Sequence, residues 1–232
     1  MPKNLLIVGH TRSGGHFLMN SISKNFDYYV HHHKGRDMCK KANRSEVKRV
    51  VTEFNDTNEI QITRQQVWSF DGCQRQLRDK FLILYIVRDG RDVVGSLFDM
   101  HTKGNRWTKF KTFEEFLRNP FSTVSFEHRI NIRRAKNPID SWLIHQKGWR
   151  RFLSPDDNVI YYEDLYYRFE RTIKKIADIL QMQPNKILDK PPKEFNCVMP
   201  RKGCPGQWRD IFSEEDLAFY NNYVLTHKLS PN

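Results

Sequence analysis

Apolar residues fall along the chain in two kinds of pattern: short unbroken runs, and longer stretches with helical spacing. Leu5-Leu6-Ile7-Val8 is wholly apolar and predicts a strand buried on both faces. A glycine-containing turn follows, and then Phe17-Leu18-Met19 with Ile22 predicts a helix. Strand, glycine loop and helix form the opening half of an α/β unit. Residues 81–87 give the clearest central strand, after which Val93, Val94, Leu97 and Phe98 recur with helical spacing. Residues 28–30, 59–63 and 158–162 predict three further strands. Phe169, Ile173, Ile176, Ala177 and Leu180 mark an amphipathic helix, and Leu217, Tyr220 and Val224 a last one. Residues 45–54 are charged and compatible with a helix. The stretch 103–136 is more polar and irregular, a location for a lid or an acceptor-binding segment. Strands alternating with helices imply an α/β fold, with a central, mainly parallel sheet flanked by helices. Residues 1–232 read as a single domain.

Composition supports a folded chain. Its 232 residues are 38% hydrophobic and include 16 Phe, 9 Tyr and 5 Trp, enough for a substantial core. The formal net charge of +12 favours anionic partners without choosing among nucleic acid, an anionic membrane surface and a phosphorylated small molecule. The basic residues are spread along the chain, which argues against a basic arm that grips nucleic acid. Cys39, Cys73, Cys197 and Cys204 show no CxxC spacing, so zinc-ribbon and thioredoxin readings fail and reduced, structural thiols are expected. The first apolar run is too short for a signal-peptide core, and no stretch is long enough to span a bilayer. A soluble, cytoplasmic protein is expected.

Three stretches carry chemistry. The first is Gly9-His10-Thr11-Arg12-Ser13-Gly14-Gly15-His16, between the first strand and the first helix. A loop there can point several backbone N–H groups at one anion, with the helix dipole adding positive potential. Glycines allow close approach of the backbone, and Arg12 adds a forked cation. A nucleoside triphosphate loop would read GxxxxGK[ST]; here Gly15-His16 stands in place of Lys-Ser/Thr, which turns the loop away from ATP and its magnesium. The second stretch runs from Arg88 through Asp89-Gly90-Arg91-Asp92 to Ser96. It puts Arg88 at the end of the central strand, where ligands of open parallel sheets bind. Asp89 and Asp92 read there as complements of a helix dipole. The third is Arg201-Lys202-Gly203-Cys204-Pro205-Gly206-Gln207-Trp208, a rigid basic loop able to close over a phosphate. Each stretch also has a plainer reading, as a tight glycine turn, a salt-bridged helix start and a solvated basic turn; taken as anion sites, they offer places for two phosphate-type groups.

Together these stretches resemble the nucleotide-dependent sulfotransferases, especially the cytosolic branch. Members carry a first loop of the form PKSGTTW or PRSGTT, a strand-to-helix segment RDxRDxxxS and a late RKGxxGxW. Ser141-Trp142 with His145 and Trp149 is similar to the family's SWxxHxxxW helix, and Tyr162-Glu163-Asp164-Leu165 to its YEDL. The five motifs occur in order over nearly the whole chain.

The resemblance implies 3′-phosphoadenosine 5′-phosphosulfate (PAPS) as donor and 3′-phosphoadenosine 5′-phosphate (PAP) as product, with no metal. It assigns the 5′-phosphosulfate to Arg12, Ser13, Gly14, Gly15 and His16. Arg12 takes the position of the cation that stabilises the leaving phosphate. The 3′-phosphate falls to Arg88 and Ser96 with Arg201, Lys202 and Gly203, and the adenine to Phe17 and Tyr162. Two departures concern the chemistry. Gly15-His16 replaces two threonines, and the family's KTHLP segment with its catalytic His has no clear match, although Ile62-Thr63-Arg64-Gln65 occupies a comparable place. Candidates for the base are His16, His33 and a carboxylate near the first helix, and His145 reads as structural. His31-His32-His33 lacks a third ligand for a metal site.

The function implied is sulfuryl transfer to a hydroxyl or amine by in-line displacement. The acceptor, a small molecule or a biopolymer, is not legible, and neither is oligomeric state. No nucleic-acid partner is expected. Two alternatives are a P-loop-type kinase, opposed by the missing Lys-Ser/Thr, and a non-enzymatic anion or nucleic-acid binder, which leaves motifs at strand ends unexplained.

Overall fold

The two unbroken apolar runs lie side by side at the centre of a sheet. The computed structural model describes residues 4–26, 29–30, 61–65, 81–103, 110–120, 135–151, 153, 158–191 and 203–228. Among these, β1 (Leu5–Gly9), β2 (Tyr29–Val30), β3 (Gln61–Gln65), β4 (Leu82–Val87) and β5 (Val159–Tyr161) form one sheet in the order β2-β3-β1-β4-β5. Every pairing is parallel, with Leu5 opposite both Ile62 and Leu82, and Val87 opposite Tyr161. Parallel neighbours need crossovers, and helices supply them. Helix α1 (Gly15–Asn25) follows β1. Helices α2 (Gly90–Lys103), α3 (Phe113–Arg118) and α4 (Pro138–Arg150) lie between β4 and β5. After β5 come α5 (Tyr162–Tyr167), α6 (Phe169–Leu180), a 3₁₀ turn (Gln207–Asp210) and α7 (Glu214–Lys228).

Both faces of the sheet are covered, which is why β1 and β4 carry no polar alternation. On one face Leu5, Ile7, Leu84, Ile86 and Ile160 meet Leu18 and Ile22 of α1 and Ile173, Ile176 and Leu180 of α6. Each such fully buried side chain contributes about 1.5–3 kcal/mol relative to exposure, so the three central strands anchor the domain. On the other face Tyr85 stacks against Trp149 and His145 of α4. A second cluster joins Val93, Val94 and Leu97 of α2 to Phe113 and Phe116 of α3, Trp142 of α4 and Tyr220 of α7.

The sequence pattern and the structure differ at several ends. The strand expected over 59–63 runs Gln61–Gln65, and that over 158–162 ends at Tyr161. Tyr162 opens α5 instead, with Glu163 and Asp164 in the first turn where the dipole favours acids. Within the polar stretch 103–136, α3 buries Phe113, Phe116 and Leu117 in the second cluster, so this piece is core. Thr112 accepts the Glu115 amide and caps it. Residues 31–60, which include His31-His32-His33 and the charged stretch 45–54, lie outside the described residues.

The strand order reverses between β1 and β4. After β1 the chain turns toward β2 and β3; after β4 it turns toward β5. The crevice outside the carboxyl ends of those two strands is where open α/β sheets bind ligands.

Candidate active site

The loop after β1 is a tight turn closed by the Ser13 amide donating to the His10 carbonyl at 3.0 Å. Arg12 has φ 70 and Gly14 φ 93, both left-handed. A β-carbon on Gly14 would sit 2.2 Å from Cδ2 of Tyr162, so the turn requires glycine for conformation and for space. Gly14 opens α1 without a side-chain cap, and the first turn holds no acid. The helix therefore presents its positive end to the crevice without an internal counter-charge.

Arg88 and Asp89 follow β4 directly. Arg88 is buried, and its guanidinium touches several parts of the site at once. Nη1 donates to the Arg12 carbonyl at 3.4 Å and Nη2 to the Cys204 carbonyl at 3.2 Å. The guanidinium carbon lies 4.6 Å from the centre of the Tyr162 ring, and Nη2 lies 3.6 Å from Asp92. Nε is buried and has no hydrogen-bond partner among the described residues. Ser96 stands two turns into α2, where its hydroxyl accepts from Arg12 Nε at 2.9 Å.

Tyr162 closes the far side. Its hydroxyl donates to the Gly203 carbonyl, and its ring meets Phe17 edge-on at 5.9 Å. Burial pushes its phenol upward, partly offset by Arg88, so the group remains a donor. Glu163 accepts the Asp89 amide at 3.0 Å, and burial raises its carboxyl above the ordinary range against the pull of that amide and Arg88. Asp89 in turn holds Arg91 through Nε at 3.0 Å.

The structure thus brings Arg12, Gly14, Phe17, Arg88, Ser96, Tyr162 and Gly203 to one crevice. Ser13 is buried in the loop, and Gly15 and His16 are the half-buried first residues of α1. Arg201, Lys202 and His33 lie outside the described residues. Two side chains that organise the site were not read as such from the sequence. Asp92 does more than complement a helix dipole: its carboxylate accepts backbone amides of Gly206 at 2.7 Å and Trp208 at 3.0 Å. His10 Nδ1 donates to the Thr11 carbonyl at 2.9 Å, and in the neutral ring Nε2 then accepts the Ser141 hydroxyl at 3.1 Å. His10 thereby ties the loop to α4. His145 is buried beside it, 5.4 Å between ring centres, with Nδ1 hydrogen-bonded to the Tyr85 hydroxyl at 3.0 Å. Its setting is that of a packed structural histidine. The sequence placed His10, Asp92, Ser141 and His145 within motifs, but spacing alone did not show which of them meet. Among the described residues no group of three His, Cys, Asp or Glu side chains could hold a metal, and no helix is long and apolar enough to cross a membrane.

A parallel sheet, a glycine turn at the start of a helix at its switch point, a buried Arg88 and a half-buried Arg12 define an α/β protein with a cationic crevice of the kind that receives phosphate-type anions. The particular family follows from comparison: a family model for the sulfotransferase domain matches residues 2–227, and the chain belongs to that family. It is a sulfotransferase by that membership, which leaves the phosphoryl-transfer alternative without support. No curated protein sequence matches. Solved structures share the fold. A mouse sulfotransferase, SULT7A1, complexed with PAP, superposes with TM-score 0.68 at 18% identity, covering 98% of this chain and 85% of that one. Retinol dehydratase in complex with androsterone and inactive cofactor PAP gives 0.59 at 16%, covering 99% and 81%. A sulfotransferase domain from the curacin biosynthetic pathway gives 0.52 at 11%, covering 97% and 98%.

Proposed function

We propose that this chain transfers the sulfuryl group of PAPS to a hydroxyl or amine acceptor, releasing PAP. The acceptor oxygen or nitrogen attacks sulfur in line. The bond from sulfur to the bridging phosphate oxygen breaks, its electron pair stays on the phosphate, and the acceptor proton goes to a base. The observation that carries the reading is the meeting of Arg12, Ser96, Arg88, Tyr162 and Gly203 at the β1–β4 switch point. One crevice then has two cationic ends, one at the helix α1 terminus and one at Arg88, as a bisphosphorylated nucleotide requires.

The α1 loop from Arg12 to His16 takes the 5′-phosphosulfate, and Arg12 meets the negative charge that develops on the leaving phosphate. Because Arg12 Nε also reaches Ser96, one side chain spans both phosphate subsites. Arg88 and Ser96, with Arg201, Lys202 and Gly203, take the 3′-phosphate. Phe17 and Tyr162, in edge contact, flank the adenine. His16, on the first turn of α1, takes the acceptor proton. The reaction needs no metal, because the protein's own cations neutralise the donor. The same reading makes the chain one domain working in the cytoplasm, in keeping with four cysteines that lack paired spacing.

Arg12→Ala tests the assignment. Transfer from labelled PAPS is measured over a panel of phenol, alcohol and amine acceptors, and PAP binding by calorimetry. PAP binding should weaken yet stay measurable, while turnover falls by at least about 10²–10³, the range for removing a donor from a developing charge. Normal turnover in the variant sinks the reading. Thermal shifts with PAP against ATP-magnesium give a second check; stabilisation by ATP-magnesium alone would overturn the donor.

A further inference from the structure

The Asp92 side chain is 0% exposed, although it is an acid in the first turn of α2. An acid that merely complements a helix dipole needs no burial and no distant partner. Both oxygens of Asp92 are instead committed to a segment more than a hundred residues away. Oδ2 accepts the Gly206 amide at 2.7 Å across a separation of 114 residues, and Oδ1 the Trp208 amide at 3.0 Å across 116. Arg88 Nη2 lies 3.6 Å from Oδ2 and also donates to the Cys204 carbonyl in that segment. The guanidinium carbons of Arg91 and Arg209 lie 4.1 Å and 4.5 Å from the centre of the Trp208 ring. The turn from Gly203 to Trp208 is therefore latched to the start of α2, and the latch shares Asp92 with Arg88.

We propose that Asp92 is a positioning residue for the donor's 3′-phosphate: it fixes the 203–208 turn and the Arg88 fork in one arrangement. The proposal rests on the reading above that Arg88 and this turn hold that phosphate. Simple electrostatics argues the other way. A carboxylate beside an anion subsite repels the anion and neutralises Arg88, so removing its charge should tighten binding. Positioning makes the opposite demand. The amide side chain introduced by Asp92→Asn would offer one acceptor oxygen and set an NH₂ group against the second backbone amide, which breaks the latch. The sign of the effect separates the two.

The experiment is calorimetry on the full chain with PAP and with adenosine 5′-phosphate, comparing wild type, Asp92→Asn and Gly206→Ala. Gly206 has φ +86 and an added β-carbon would lie 2.5 Å from the flexible end of Arg209, so this variant strains the latched turn and leaves α2 intact. Both variants should weaken PAP by about tenfold or more, as loss of a charge-assisted hydrogen bond predicts, with adenosine 5′-phosphate changed far less. KM for PAPS should rise more than kcat falls. Unchanged or tighter PAP binding overturns the proposal, as does equal weakening of both nucleotides. If Asp92→Asn does not fold, Gly206→Ala decides by the same comparison. If wild type itself shows no preference for PAP, the donor reading fails, and amide hydrogen exchange decides the latch. Faster exchange at Gly206 and Trp208 in Asp92→Asn supports it, and unchanged exchange refutes it.

Discussion

Gly14→Ala perturbs the loop in two separable ways. The backbone at Gly14 has φ 93, and an L-residue there costs about 1–2 kcal/mol. The new β-carbon would also lie 2.2 Å and 2.6 Å from two atoms of the Tyr162 ring. That ring cannot swing aside cheaply. It is buried, its hydroxyl is committed to the Gly203 carbonyl, and Arg88 lies over it. Forcing a carbon into such packing costs a further 1–3 kcal/mol or so, giving about 3 kcal/mol in all. For a chain of this size that corresponds to a loss in Tm on the order of 6–12 °C. Displacement of Tyr162 moves Arg88 and the Gly203 carbonyl with it, so PAP affinity should fall together with stability. The assay is thermal denaturation and PAP calorimetry on Gly14→Ala, Tyr162→Ala and the double variant. In the Tyr162→Ala background the ring is gone, and Gly14→Ala should cost only the backbone part, about 1–2 kcal/mol. An equal cost in both backgrounds would refute the packing argument, and a cost below about 1 kcal/mol in wild type would refute the whole chain of reasoning.

Arg88→Lys keeps a cation against Asp92 but loses the fork that reaches the Arg12 and Cys204 carbonyls. It should fold and bind PAP at least about tenfold more weakly, with less effect on adenosine 5′-phosphate, because a bidentate site does not accept Lys as an equivalent. Equal weakening by calorimetry would remove Arg88 from the 3′-phosphate site. Glu163 carries a pH prediction. Its folded pKa is raised by burial, so stability held while the carboxyl is protonated is lost as pH rises through that value. Glu163→Gln keeps an oxygen to accept the Asp89 amide and never ionises. Its Tm relative to wild type should climb from about pH 4.5 toward neutrality, and a flat or falling difference contradicts the burial argument.

The catalytic frame was readable from local pattern to an unusual degree at some positions and hardly at all at others. The apolar runs at β1 and β4 announced strands because both faces of a central parallel strand are buried, and burial leaves no room for alternation. The helix α6 was equally plain, since one face alone meets the sheet. The glycine loop and Arg88 were visible because strand ends in such sheets face the ligand. Helix α3 was not, because its three apolar residues sit in a polar surround and gain their meaning from Val93, Trp142 and Tyr220.

By itself, then, the sequence marked the central strands, the helices with a clear apolar face and the loops that carry cations, since those depend on neighbours within a few residues. Tertiary structure decided what those cations and glycines are held against. Gly14 is required by the Tyr162 ring, Arg12 is aimed by Ser96, and Asp92 is held by amides 114 and 116 residues further on. Backbone amides carry no side-chain identity, so a contact such as that between Asp92 and Gly206 leaves no mark in the spacing of residue types. Only the folding of the distant turn onto α2 makes a helix-start acid into a buried latch.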